Sequence, residues 1–141
     1  MDDFSVKILS ELTSQQRGEL GALLTEAEFI AESDSDGDWL DKAVAGSVIA
    51  MGVFNSDGRM VGFGRALGDG VSDCYIQDVV IASTFRGRNL GKKLVQSLIS
   101  ELKKRNIDWI GLVAVPGKAG FYEKLGFRPA EGFVPMILAD E

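Results

Sequence analysis

Apolar and polar positions change period several times along the 141 residues, and each change marks an element. Phe4 to Leu9 alternates apolar and polar residues, the pattern of a half-buried strand. Thr13-Ser14-Gln15-Gln16 offers a capping box, and Leu20, Leu23, Leu24 and Ala27 give the helix after it one apolar face. Glu32 to Asp38 is acidic and aperiodic, a loop, before a brief helix through Trp39, Leu40, Ala43 and Val44. Ser47–Phe54 and Arg59–Leu67 read as strands joined by Asn55-Ser56-Asp57-Gly58, a hairpin signal, and Gly68-Asp69-Gly70 turns the chain again. Tyr75 to Ile81 is rich in β-branched residues and reads as a central strand. Leu90, Leu94, Val95, Leu98, Ile99 and Leu102 recur at helical spacing, with Asn106 as a left-handed stop. Asp108–Val115 and Phe133–Leu138 are the remaining strand-like runs. Antiparallel strands early and βα units late predict a mixed α/β sheet, and without repeats or linkers residues 1–141 read as one domain.

The connection Arg86-Gly87-Arg88-Asn89-Leu90-Gly91 lies between the central strand and the long helix. A strand feeding a glycine turn that opens a helix suits an anion, because the first helical N–H groups point out of the helix end and the macrodipole favours negative charge there. No Gly-Lys-Ser/Thr follows, so the turn is not a P-loop, and its glycine spacing is not that of a dinucleotide fingerprint.

Arg86 to Gly91 resembles the pyrophosphate-binding motif Q/R-x-x-G-x-G/A of the GNAT family of acyl-CoA N-acyltransferases, with Asn89 where the first glycine is expected. Asn is among the residues that best tolerate positive φ, so the turn survives the exchange. Phe121-Tyr122-Glu123-Lys124-Leu125-Gly126-Phe127 is similar to the family's Phe-Tyr-x-x-x-Gly-Phe motif. A second departure is Val115-Pro116-Gly117-Lys118, where many relatives carry an Asn. The resemblance implies a mostly antiparallel sheet of six to seven strands with helices on both faces, the fourth and fifth splayed to hold acetyl-CoA.

Composition narrows the chemistry. Hydrophobic residues make up 45% and charged residues 26%, ordinary for a soluble globular protein, and no stretch has the length of a membrane span. The acidic start Met1-Asp2-Asp3-Phe4 does not read as a signal peptide, and one cysteine, Cys74, suits a reducing cytoplasm. Cys74 reads as a small hydrophobe, since no basic neighbour in sequence would activate it. The absence of histidine excludes His-based triads, makes zinc improbable, and leaves no metal implied. A net charge of −6 argues against a nucleic-acid surface and suits cationic substrates. Against it, Arg86, Arg88, Lys92 and Lys93 are a basic cluster beside the glycine turn, placed for a polyanionic cofactor or as a solvated helix face. Asp34, Asp36 and Gly37 loosely follow a calcium loop, but the Glu at its twelfth position is missing.

Acyl transfer from a thioester to an amine needs a held thioester, an uncharged amine and a proton for the departing thiolate. A primary alkylamine is only about 0.04% neutral at pH 7, so a base is required. The resemblance implies that the pantetheine arm runs along Val79, Val80 and Ile81, with an N–H near Val79 as oxyanion donor, and that Arg86, Gly87, Arg88, Asn89, Leu90, Gly91 and Lys92 bind the pyrophosphate. It also implies that Tyr122 protonates the thiolate; the alternative is core filling. Asp78 is the candidate base, the alternative being a structural hydrogen-bonding carboxylate; strict alternation puts it on one face with Ile76 and Val80, and Gln77 on the other with Val79, and a bulge would change that phase. Asp38 and Trp39 are weaker candidates to meet the amine, and Arg65 reads as facing the cleft or solvent, with solvent favoured. The expectation is an N-acetyltransferase acting on a small primary amine by direct attack. Alternatives are a protein or peptide acetyltransferase, or a module that binds acetyl-CoA without turnover. A homodimer is compatible with the family.

Overall fold

A computed structural model describes residues 3–140; Met1 and Asp2, part of the acidic start, lie outside the described residues. The order is β1 (Ser5–Leu9), α1 (Ser14–Glu26), α2 (Trp39–Ala45), β2 (Ile49–Phe54), β3 (Met60–Gly68), β4 (Asp73–Ile81), α3 (Leu90–Lys104), β5 (Trp109–Leu112) and α4 (Ala119–Glu123). The strands form one mixed sheet in the order β1-β2-β3-β4-β5, antiparallel except for the β4–β5 pair.

Local signals act where they stand. Thr13 Oγ1 accepts from the Gln16 N–H at 3.1 Å while Gln16 Oε1 accepts from the Thr13 N–H at 3.0 Å, the reciprocal cap that starts α1. Asn55 Oδ1 accepts from the N–H groups of Asp57 and Arg59, both at 3.0 Å, and closes the β2–β3 hairpin. Asn106, at φ +62°, ends α3 as the N–H of Ile107 returns to the Leu102 carbonyl.

Helices cover both faces. Leu90, Leu94, Val95, Leu98 and Leu102 of α3 pack on Ile49, Met51, Val53, Ala66, Cys74 and Ile76. Leu20, Leu23 and Leu24 of α1 with Leu40 and Val44 of α2 pack on Ala50, Phe54, Met60, Phe63 and Val80. Arg17 Nε, donating to Asp41 Oδ2 at 2.6 Å, ties α1 to α2 and holds the Asp41 carboxyl below the usual carboxylate range. Cys74 is fully buried, and that burial pushes its thiol up, as a structural hydrophobe requires.

Three expectations are corrected. Phe133–Leu138 is not a strand, and the described sheet has five strands where six to seven were expected. A strand needs a neighbour, and this segment has none; its side chains stand in solvent. Of the Asp108–Val115 run, only Trp109–Leu112 pairs. Arg65 does not face solvent, for the reason given by the bulge below.

Candidate active site

β4 is irregular at its centre. Its pairing with β3 runs from Tyr75↔Leu67 to Gln77↔Arg65 and resumes at Val80↔Phe63, so β4 carries one more residue than its partner there. The extra residue is a bulge at Asp78, whose φ is +59°. Ile76, Val79 and Ile81 therefore pack on the α3 side, while Val80 turns to the α1 side. Strict alternation would have put Val80 with Ile76; the bulge reverses the phase after Gln77.

The bulge also selects the partner of Asp78. Arg65 Nε donates to Asp78 Oδ2 at 2.8 Å, the two side chains only 15% and 19% exposed, and Arg65 Nη1 reaches the Ala43 carbonyl at 3.4 Å. The pair joins β3, the bulge and α2. No sequence signal identified it, because the residue opposite a bulge depends on a register that forms only in the sheet.

β5 then leaves β4. The last paired residues are Ile76 and Leu112, so Gln77 to Ile81 have a strand neighbour only on the β3 side. This places the open backbone edge of Val79, Val80 and Ile81 beside the glycine turn. A short 3-10 turn, Ser83–Phe85, links β4 to that turn, and Glu26 at the end of α1 accepts from the Ser83 N–H at 2.7 Å.

The glycine turn changes backbone hand from residue to residue. Gly87 at φ +82° and Asn89 at φ +61° alternate with residues of negative φ, an arrangement that gathers N–H groups into a concavity. Asn89 occupies the left-handed position expected of it and caps α3 without a side-chain hydrogen bond. α1 has its reciprocal cap and α3 has none; the first turn of α3 carries Lys92 and Lys93 and no acidic residue. Two cations at the positive end of a helix dipole are unfavourable unless an anion sits between them. Lys92 and Lys93 are exposed, Arg86 Nε donates to the Ile81 carbonyl at 3.3 Å, and Arg88 lies over the Phe85 and Phe4 rings.

Gly91 lets α4 approach. A Cβ there would stand 3.3 Å from the Phe121 ring and 3.7 Å from Ile81 Cγ1, so a bare backbone lets β4, α3 and α4 converge. Tyr122 follows on α4, its ring edge-on to Phe121 at 4.9 Å and to Phe127 at 5.9 Å. Its partial burial raises the phenol above the ordinary tyrosine range, so it keeps its proton at neutral pH. Among the described residues, none accepts a hydrogen bond from its hydroxyl. In the acidic loop, Asp38 is exposed beside Lys42, and Trp39 Nε1 donates to the Asp34 carbonyl at 2.8 Å. Among the described residues, no cluster of His, Cys, Asp or Glu could hold a metal ion, and no helix is long and apolar enough to cross a membrane.

The profile of the acetyltransferase (GNAT) family matches residues 10–127, most of the chain and both motifs. The chain belongs to the GNAT family. Its relatives by sequence include serotonin N-acetyltransferase 2, chloroplastic, of Oryza sativa subsp. japonica, 40% identical over 73 residues, which are 52% of this chain and 36% of that protein. A histone acetyltransferase of Glycine max is 37% identical over 74 residues, 52% of this chain and 30% of that protein. The chain thus matches about a third of the length of these two relatives. The solved structure of a GNAT-family acetyltransferase from Streptococcus pneumoniae TIGR4 superposes with a TM-score of 0.78 at 18% identity, covering 98% of both chains, and shares the α/β fold.

Proposed function

We propose that this GNAT protein transfers the acetyl group of acetyl-CoA to the primary amine of a small molecule by direct attack. The observation that carries this is the parting of β4 and β5 after Ile76–Leu112, with a bulge at Asp78, next to an uncapped helix end that bears two lysines. Those residues fit acetyl-CoA. The N–H groups from Arg86 to Lys92 would take the pyrophosphate, and the open edge of Val79, Val80 and Ile81 would take the pantetheine arm, with the Val79 N–H as oxyanion donor. Acetyl-CoA, when bound, supplies an activated acyl thioester, and no metal is required.

Tyr122 donates its proton to the departing thiolate: burial raises the phenol, so the proton is in place at neutral pH when the thiolate leaves. Asp78 receives the amine's proton, directly or through water, by its second carboxylate oxygen while Oδ2 stays on Arg65. Asp78→Asn is expected to move the acid limb of the kcat/KM profile to higher pH. An unshifted profile with a lowered melting temperature would leave the pair only the task of holding the bulge.

The net charge of −6, with Asp38 and Trp39 at the edge of α2, supports a cationic acceptor. The rice relative's name includes an arylalkylamine and the soybean relative's a protein, so a protein or peptide acceptor is the second reading. A single buried thiol supports a reducing compartment, and we take the cytoplasm as that compartment. The test is a thermal shift with acetyl-CoA, CoA and ATP at matched concentrations, followed by an amine panel. A ligand at a hundred times its dissociation constant adds about 2.7 kcal/mol, a rise of about 5 to 10 °C for a domain of this size. A rise with both CoA species and none with ATP is expected. Binding without turnover on any amine or peptide would make the chain a cofactor-binding module.

A further inference from the structure

We infer, resting on the transfer reaction proposed above, that the open sheet face around Tyr75 and Trp109 binds the acceptor, and that the acceptor is an amine carried by an aromatic ring on a short alkyl chain.

Strand pairing decides which residues share that face, since directly paired residues project their side chains to the same side of a sheet. Leu67 pairs with Tyr75 and Arg65 with Gln77, while Asp73 pairs with Trp109 and Tyr75 with Gly111. Between them Ala66, Cys74 and Ile76 point the other way, into the core under α3. α1 and α2 cover the first face over β2 and β3, but no residue of β5 enters the core beneath them. Asp73, Tyr75, Gln77 and Trp109 are accordingly exposed.

Tyr75 and Trp109 are 52% and 48% exposed, their rings edge to face with centroids 5.1 Å apart. The indole lies along β5 because Gly111 has no side chain: a Cβ there would collide with the far edge of the Trp109 ring. Leu67, half-buried opposite Tyr75, belongs to neither core cluster. Three large apolar side chains held side by side on an open sheet form a platform for a flat apolar group.

The place of the platform sets the length of the ligand. The rings stand where β4 and β5 are still paired, just short of the parting after Ile76 and Leu112. Asp78 lies three residues beyond Tyr75, about 7–10 Å along a bulged strand. Its Oδ2 is held by Arg65, and its other oxygen accepts no hydrogen bond among the described residues. An amine at that oxygen and an apolar plane on the two rings are the two ends of one arylalkylamine. The charged side chains on this face, Asp73, Asp78 and Arg65, are negative in sum, which suits an ammonium on arrival. Asp73, at the far end, makes a polyamine spanning both carboxylates the rival occupant. The ring is favoured because it covers Tyr75, Trp109 and Leu67 together, whereas a thin methylene chain leaves most of their area in water.

Calorimetry on the full chain saturated with CoA, which brings no acetyl group, reads the binding of 2-phenylethylamine, 2-cyclohexylethylamine and spermidine without turnover; kcat/KM with acetyl-CoA is then measured for each. 2-Phenylethylamine is expected to bind about 2- to 10-fold more tightly than its cyclohexyl counterpart, the worth of an aromatic pair beyond its buried area, and more tightly than spermidine. Replacing both Tyr75→Leu and Trp109→Leu should abolish the preference for phenyl over cyclohexyl and keep the thermal shift with acetyl-CoA. Equal affinity for the two rings, tighter binding of spermidine, or a preference that survives the double substitution would overturn the inference. If the substituted chain does not fold, saturation-transfer NMR on the unaltered, CoA-loaded protein decides: the ring protons of 2-phenylethylamine should receive more saturation than its methylenes, and an even distribution or none overturns the site. Ring-selective binding with turnover of no amine would strike the transfer reaction and leave the aromatic site; turnover without ring preference would strike the site and leave the reaction.

Discussion

Gly91→Glu is expected to abolish the thermal shift with acetyl-CoA and CoA alike. The glutamate would place a carboxylate in the first turn of α3, where the proposed pyrophosphate needs the free N–H groups. A negative side chain in that turn suits the helix dipole and offsets Lys92 and Lys93, so α3 itself should be no less stable. The cost to the fold is local: the new Cβ lies 3.3 Å from the Phe121 ring, which must shift by a few tenths of an ångström. Gly91→Ala is the control, since it makes the same contact without the charge. The expected order of affinity is the unaltered protein, then Gly91→Ala, then Gly91→Glu with none measurable. A Gly91→Glu protein that binds CoA as well as Gly91→Ala would remove the pyrophosphate from this helix end.

Tyr122→Phe should lower kcat by about 10²–10⁴-fold while the thermal shift with acetyl-CoA stays as it was. Phenylalanine keeps the edge-on contacts with Phe121 and Phe127, so the local aromatic packing continues and only the proton donor is lost. Burial raises the Tyr122 phenol, so its contribution to folding is present below the ordinary tyrosine range and is lost as pH rises through the higher folded value. The variant should therefore lose less stability than the unaltered protein at strongly alkaline pH. A kcat unchanged by Tyr122→Phe would return the residue to packing.

Much of the molecule was legible in the chain because its causes are local. Thr13 and Gln16 cap α1 through atoms three residues apart, Asn55 closes its own hairpin, and Asn89 and Asn106 take left-handed positions that few other side chains tolerate. The stripe of leucines on α3 needed only a period of 3.6 to be read, and the order of residues from Arg86 to Gly91 was sufficient to suggest an anion site before any coordinates.

Contacts between distant residues were decided in the folded sheet. Whether Asp78 faces α3 or Arg65 depends on one extra residue in β4, and nothing within Tyr75–Ile81 says where register is gained. The parting of β4 from β5 depends on how many of the residues Asp108–Val115 find partners, and four do. Phe133–Leu138 has the apolar content of a strand and is not one here, because pairing is a property of two segments and this one has no neighbour among the described strands. The sequence by itself determined the caps, the turns and the residues offered to a cofactor. The tertiary structure alone decided which backbone edge stays open and which carboxylate stands beside it, because strand register is set by neighbours far away in the chain.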